Sequence, residues 1–216
     1  MSNLARKNQS GGSAGGGGYD YQAEAYALVA AKILTEESLN WAETGCSRIP
    51  TSVRMETGSG GDDLLIFLKS QKRIELQAKS GLQRGDDLWS ALIALAYAVN
   101  RDANTYGVLL TTMSASGTVR DQLKNEIESI GAGFDRYAEL HDITQEFVIR
   151  LQSEKLDPLA VCKRLTIRVW HFEPGSPGEE ATFSALRKVI AQPEQAGSGR
   201  GVLASDGMDH IKLRLM

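Results

Sequence analysis

Four residues carry the chemistry this sequence offers: Glu24, Asp63, Gln77 and Lys79. The run Arg73–Lys79 (RIELQAK) alternates, so it predicts a strand whose side chains point to opposite faces in turn. Ile74, Leu76 and Ala78 then face a core, and Arg73, Glu75, Gln77 and Lys79 share the other face. A second strand-like run, Leu64–Leu68, begins directly after Asp63 and is joined to the first by the short turn Lys69–Lys72. Two antiparallel strands joined by a short turn bring their far ends together. Asp63 is therefore expected near Gln77 and Lys79. An acid, an amide oxygen and a lysine on neighbouring strand ends outline a magnesium-dependent hydrolytic site. Magnesium takes hard oxygen ligands and keeps several waters, and a lysine can hold an attacking water or neutralise developing phosphoryl charge.

Other elements must position these ends. An apolar helix is expected from about Tyr21 to Leu34, with Asp20 as N-cap, and it carries Glu24. A carboxylate on that largely apolar flank calls for a partner. Leu39–Pro50 reads as a loop and Thr51–Glu56 as a strand. Asp86–Asn100 opens with two acids and is apolar almost all round, which predicts a buried helix. Tyr106–Thr111 is a short buried strand. Val119, Leu123, Ile127 and Ile130 form one helical stripe that stops near Gly131. Asp142 with Gln145 resembles a capping box ahead of Phe147, Val148 and Leu151. Leu165–Phe172 reads as a strand and Glu179–Ala191 as a last helix. The expected order is helix, three strands, helix, strand, then additions. That makes the fold class α/β, a mixed central sheet flanked by helices.

Asp63 followed by Gln77-Ala78-Lys79 resembles the PD-(D/E)XK nuclease superfamily, in the Q-x-K form of Mrr-type restriction endonucleases. The element order is that of its restriction-endonuclease-like core. The run Gly-Gly-Tyr19-Asp20-Tyr21-Gln22 before a helix, with Asp62-Asp63-Leu64 later, is similar to a narrower group. That group is the N-terminal double-stranded DNA endonuclease domain of bacterial anti-phage effectors, in CBASS and STAND-type NTPase systems. The resemblance spans roughly residues 15 to 170, and its decisive motif is short. It implies a metal-dependent endonuclease cutting double-stranded DNA with Mg2+ or Mn2+. Asp63 would be the central metal ligand and Gln77 would offer its side-chain oxygen. The Ala78 carbonyl would add another oxygen, Glu24 would reach the metal or its water, and Lys79 would be the catalytic lysine. The chain departs from the commoner pattern at Gln77, where an acid usually stands, which removes one negative charge. Glu75 shares the face and is a possible substitute. The neighbouring Asp62 leaves the choice of acid open, with Asp63 preferred because it abuts the apolar run. The implied setting is an effector domain within a larger defence protein, oligomeric on activation, whose C-terminal NTPase or sensor region restrains it.

Composition bounds these readings. The 216 residues carry a net charge of −3, with 42% apolar and 24% charged residues, ordinary for a globular domain. Bulk positive charge is excluded, but a local strip is not. Lys69, Lys72, Arg73, Lys79 and Arg84 stand against the single acid Glu75 in residues 64–84. They read equally well as a DNA-phosphate strip or as a solvated hairpin tip. No apolar run approaches the roughly 18 residues of a membrane span, and Met1–Ser10 lacks the apolar core of a secretory signal. Cys46 and Cys162 are too few for a disulfide framework, so a cytoplasmic setting is expected. Six of the eight residues Gly11–Gly18 are glycine. Residues 1–18 are therefore expected to be a disordered arm, residues 19–191 the nuclease-type domain, and 192–216 a linker and the start of a following region. His141, His171 and His210 have no metal-ligand spacing, and no P-loop is present: Lys79-Ser80 imitates one, but Ala78 stands where the glycine is needed. The alternative reading is an inactive module of the same fold that binds DNA or a protein partner.

Overall fold

The structure, a computed structural model, describes residues 16–41, 49–55 and 63–170, with Ser184, and the backbone alone over 16–20. Several expectations lie outside the described residues. They are the arm before Gly16, the Asp20 side chain, Cys46, Asp62, His171, His210, the helix Glu179–Ala191 and everything from 192 on.

The hairpin expected around Arg73–Lys79 is present. β1 (Pro50–Met55), β2 (Leu64–Leu68) and β3 (Arg73–Lys79) pair antiparallel in sequence order. α2 (Asp86–Arg101) then crosses over to β4 (Thr105–Thr111), which pairs parallel with β3 from Arg73↔Thr105 to Lys79↔Thr111. β5 (Leu165–Val169) adds in parallel beyond β4, giving one mixed sheet in the order β1-β2-β3-β4-β5. With α1 (Gly16–Leu34) on one face and the remaining helices on the other, the chain has an α/β fold.

Both faces of the sheet are buried. Ile66, Ile74, Leu76, Val108 and Leu110 join Ala25, Leu28 and Val29 of α1 in one apolar cluster. Leu109 and Ile167 on the opposite face join Leu88, Leu92 and Leu95 of α2 in another. Gly107 makes the second contact possible, since a Cβ there would stand 3.1 Å from Val99 and 3.3 Å from Leu95. A two-sided cover is the usual consequence of a parallel strand–helix–strand crossover.

The stripe Val119, Leu123, Ile127 and Ile130 is buried throughout, but its helix starts as a π-helical turn (Thr118–Leu123) before becoming α3 (Lys124–Gly131). Gly131 ends it against the chain at Cys162, where a Cβ would lie 2.5 Å from the Cys162 carbonyl oxygen. That residue closes α5 (Pro158–Cys162), a short helix not foreseen in the sequence, capped by the Asp157 carboxylate accepting from the Leu159 N–H at 3.1 Å.

The expected capping box at Asp142 is built differently. His141 is the N-cap of α4 (Asp142–Ser153), and its own side chain makes no cap bond. Gln145 reaches back to the Ala138 and Leu140 carbonyls rather than to the cap N–H. Glu126 of α3 supplies the acceptor from across the interface. Its carboxylate takes the His141 N–H at 3.1 Å and stands 2.8 Å from the His141 ring Nδ1. Burial opposes the Glu126 charge, but the Thr144 hydroxyl and the His141 groups outweigh it and hold the carboxyl below its ordinary value. A group whose native pKa is depressed stabilises the fold above its unfolded pKa. That contribution fades as pH falls through the native value. Glu126→Gln is therefore expected to cost about 1–2 kcal/mol at neutral pH, with the difference from wild type shrinking as pH falls below about 4. Urea denaturation at the two pH values checks this, and equal losses at both would reject it.

Candidate functional site

The ladder between β2 and β3 ends at Leu64↔Leu76, while β3 runs on through Gln77, Ala78 and Lys79. Asp63 sits where the next rung would form. Its main-chain N–H donates to the Leu76 carbonyl at 2.9 Å, and its carboxylate Oδ2 accepts the Ala78 N–H at 2.7 Å. The side chain thus continues the ladder where the backbone of β2 stops. Within a strand the N–H and C=O of one residue point to the same side. The Ala78 carbonyl therefore points to the Asp63 side as well, not into the ladder with β4. A carboxylate and a main-chain carbonyl are thereby brought to one strand end, where β3 runs on beyond its ladder with β2.

Gln77 and Lys79 occupy alternate positions on the face of β3 opposite Leu76 and Ala78, and both are half-buried. Lys79 lies beside Thr111 across the parallel ladder, and among the described residues it takes no ion-pair partner. The first turns of α1 stand at this same end of the sheet. Tyr21 donates its hydroxyl to the Trp170 carbonyl at 3.0 Å, and the Trp170 N–H bonds the Thr111 carbonyl at 2.7 Å. Burial, and after it the negative charge of Glu24, push the Tyr21 phenol well above its ordinary pKa. Glu24 is thus close to Tyr21 at the Lys79 end of the sheet, but its side chain is exposed.

The other sequence candidates separate. Glu75 is 3% exposed and faces Arg101 at 3.3 Å and Arg73 at 3.7 Å. Its carboxylate is committed to two arginines, so it is not a spare ligand for the strand end. The basic run does not form one strip. Lys69 and Lys72 belong to the turn between β2 and β3, and Arg73 opens β3. The length of β3 puts them on the order of 20 Å from Lys79. Lys72 donates to the Tyr106 hydroxyl at 2.9 Å, and Arg73 donates to Thr105 at 2.8 Å and lies 3.5 Å from Asp102. Arg84 does stand at the Lys79 end, where it pairs with Glu146 of α4 at 2.7 Å. Burial opposes the Glu146 charge, but Arg150 and Arg84 hold its carboxyl below the usual range.

The hard-oxygen donors that converge, Asp63 and the Ala78 carbonyl beside Gln77, fit a magnesium ion that keeps most of its waters. Among the described residues no three His, Cys, Asp or Glu side chains gather as a metal cluster, so any ion here depends on amide, carbonyl and water oxygens as well.

No family model and no curated protein matches this chain. Solved structures similar to it include the Cap4 SAVED/CARF-domain containing receptor of Moraxella osloensis, at 12% identity and a TM-score of 0.42 over 81% of this chain. The receptor of Acinetobacter baumannii is similar at 10% identity and a TM-score of 0.43 over 88%. The same receptor with the cyclic trinucleotide 2'3'3'-cAAA is similar at a TM-score of 0.42. The chain spans 37% and 38% of the length of the first two. Likeness at this level assigns no function. Among the described residues no helix is long and apolar enough to cross a membrane.

The structure also brings in residues that sequence reasoning did not single out. A cavity of about 410 Å³ opens beside Lys79, lined by Gln22 of α1, the loop Ser80–Gly85 and Asp86 and Asp87 of α2. Gln22 thus stands with Lys79, two residues before the expected Glu24. It was present in the sequence only as the last letter of the motif ahead of the helix.

Proposed function

We propose that this chain is a metal-dependent endonuclease domain that hydrolyses double-stranded DNA phosphodiesters, working as the effector part of a larger bacterial anti-phage protein. The observation that carries the reading is the 2.7 Å bond from the Ala78 N–H to Asp63, which locks the acid onto the Gln77-Ala78-Lys79 strand end. The defence setting rests on the resemblance of the Asp63, Gln77-Ala78-Lys79 and Tyr19–Gln22 motifs. So do oligomerisation on activation and control by a C-terminal NTPase or sensor region.

Asp63, the Gln77 amide oxygen and the Ala78 carbonyl would hold the ion. A bound magnesium ion polarises a phosphoryl oxygen and lowers the pKa of a coordinated water. Asp63 keeps one oxygen on the Ala78 N–H, so the main chain holds the carboxylate in place and the other oxygen is the one offered to the ion. Lys79 lies one residue beyond, where a cation can orient a water or offset charge on the phosphoryl oxygens. Gln22 and the exposed Glu24 bring a hydrogen-bonding amide and a carboxylate to the same end of the sheet. Gln77 in place of an acid lowers the negative charge, so metal binding is expected to tighten when a DNA phosphate adds its own oxygen.

The test is cleavage of supercoiled plasmid by the full-length protein. Conversion to nicked and linear forms is expected with Mg2+ or Mn2+ and none with EDTA. Cleavage that persists in EDTA would reject the metal. Absence of cleavage with either ion, alongside retained DNA or protein binding, would favour the inactive module that the neutral Gln77 suggests.

A further inference from the structure

A second polar cavity lies away from the Lys79 end, at the outer strand of the sheet. It measures about 230 Å³ and is lined by Tyr106 of β4, Glu128 of α3, and Lys163, Arg164, Thr166 and Arg168 around β5, among others. Thr166 pairs with Val108 and Arg168 with Leu110, so both face the same side of the sheet as α1. Three cations stand against one carboxylate.

Two features mark this cavity as built to hold a ligand. The first is Thr166, 9% exposed, whose hydroxyl is buried with no hydrogen-bond partner among the described residues. A buried hydroxyl left unpaired costs on the order of 1–3 kcal/mol, which a ligand oxygen would recover. The second is the way the arginines are held. Arg164 Nη1 donates to the Asp102 carbonyl at 2.9 Å, and Arg168 Nε donates to the Trp41 carbonyl at 2.8 Å. Main-chain carbonyls fix both guanidinium planes in advance, while other N–H groups of Arg164 remain without partners among the described residues. Fixed guanidinium forks match phosphate geometry. Tyr106 accepts from Lys72 at 2.9 Å, which leaves its own phenolic proton to donate.

We propose that this cavity binds a small phosphate monoester carried on a hydroxylated body. Lys163, Arg164, Arg168 and the Thr166 and Tyr106 hydroxyls supply donors and charge for the phosphate. Glu128, 3.5 Å from Arg168, is the acceptor for a hydroxyl of the carrier and disfavours ligands that are anionic throughout. The volume exceeds that of bare phosphate and suits a pentose phosphate. The site does not depend on the nuclease reading, because none of these residues belongs to the Lys79 end.

Calorimetric titration of the full chain with ribose 5-phosphate, AMP and unphosphorylated ribose tests the proposal. Ribose 5-phosphate or AMP is expected to bind at submillimolar concentration and ribose not to bind. A tighter AMP complex would assign the carrier as a nucleoside, and equal affinities would assign the sugar phosphate alone. Lys163→Ala, at an exposed position, is expected to weaken binding several-fold. Thr166→Val, which keeps the shape and removes the hydroxyl, is expected to weaken it about tenfold while leaving the melting temperature of the free protein unchanged or raised. No binding of either phosphorylated probe to the wild type would overturn the proposal. So would affinity unchanged in both variants.

Discussion

Lys79→Ala is expected to lower plasmid cleavage by about a hundredfold or more without lowering the melting temperature by more than a degree or two. The reasoning separates the two readouts. Lys79 ends β3, the central strand, and is half-buried, but among the described residues no carboxylate pairs with it. Truncating it therefore strands no buried partner, and the fold loses only the packing of its aliphatic stem. The reaction, in contrast, loses the one cation that the described residues place adjacent to the Asp63–Ala78 contact. Arg84 cannot replace it, since Glu146 holds its guanidinium at 2.7 Å. Cleavage rates of wild type and variant, measured at saturating Mg2+, give the comparison. A variant that cuts at the wild-type rate would remove Lys79 from the mechanism and with it the proposed reaction centre.

Much of this arrangement was legible because it is local. The bounds of β2 and β3 follow from alternation and two short turns, and counting along that hairpin puts Asp63 opposite Gln77, next to the Ala78 N–H that its carboxylate accepts. Features that depend on distant elements were not legible. Alternation assigns Glu75 to a face shared with Gln77 and Lys79 but does not say what covers that face. In the fold α2 covers it, and Glu75 meets Arg101 from 26 positions further along the chain. No pattern within β3 announces that helix. The basic run was not legible either. The sequence left a phosphate strip and a solvated hairpin tip equally open, and a seven-residue strand carries its two ends far apart, so Lys69, Lys72 and Arg73 stand at the end opposite Lys79.

Gln22 and α5 were missed for different reasons. The facing of α1 relative to the end of β3 is set by Tyr21 bonding Trp170, a contact across 149 positions that no helical period reveals. Gln22 reaches the cavity beside Lys79 because of that facing, while Glu24 was singled out by the resemblance and by its largely apolar flank. In α5 the signal was present: Asp157 followed by Pro158 is an N-cap and a first-turn proline. Five residues were simply too few for a periodic pattern to form. The exchange of the Asp142 capping box for Glu126 belongs with the first case, because the acceptor comes from another helix.

Asp63 offers the sharper dissection, because its carboxylate has two duties that different substitutions separate. One oxygen satisfies the Ala78 N–H, and the other is the proposed metal ligand. Asp63→Asn retains a carbonyl oxygen able to accept the Ala78 N–H but removes the negative charge. Its stability is expected to stay within about 1 kcal/mol of wild type while cleavage falls by about a hundredfold or more. Asp63→Ala removes both functions. It is expected to lose cleavage to at least the same extent and, in addition, about 1–2 kcal/mol of stability, as the Ala78 N–H at the end of the central strand loses its acceptor. Urea denaturation and plasmid cleavage on the same preparations resolve the two duties, and a rising Mg2+ series shows whether the Asn variant is partly rescued, as weakened metal binding requires. Asp62→Asn, on the neighbouring acid, is expected to stay within a few-fold of wild-type cleavage. If Asp62→Asn abolishes cleavage and Asp63→Asn does not, the Ala78 bond marks a structural acid and the metal belongs to its neighbour.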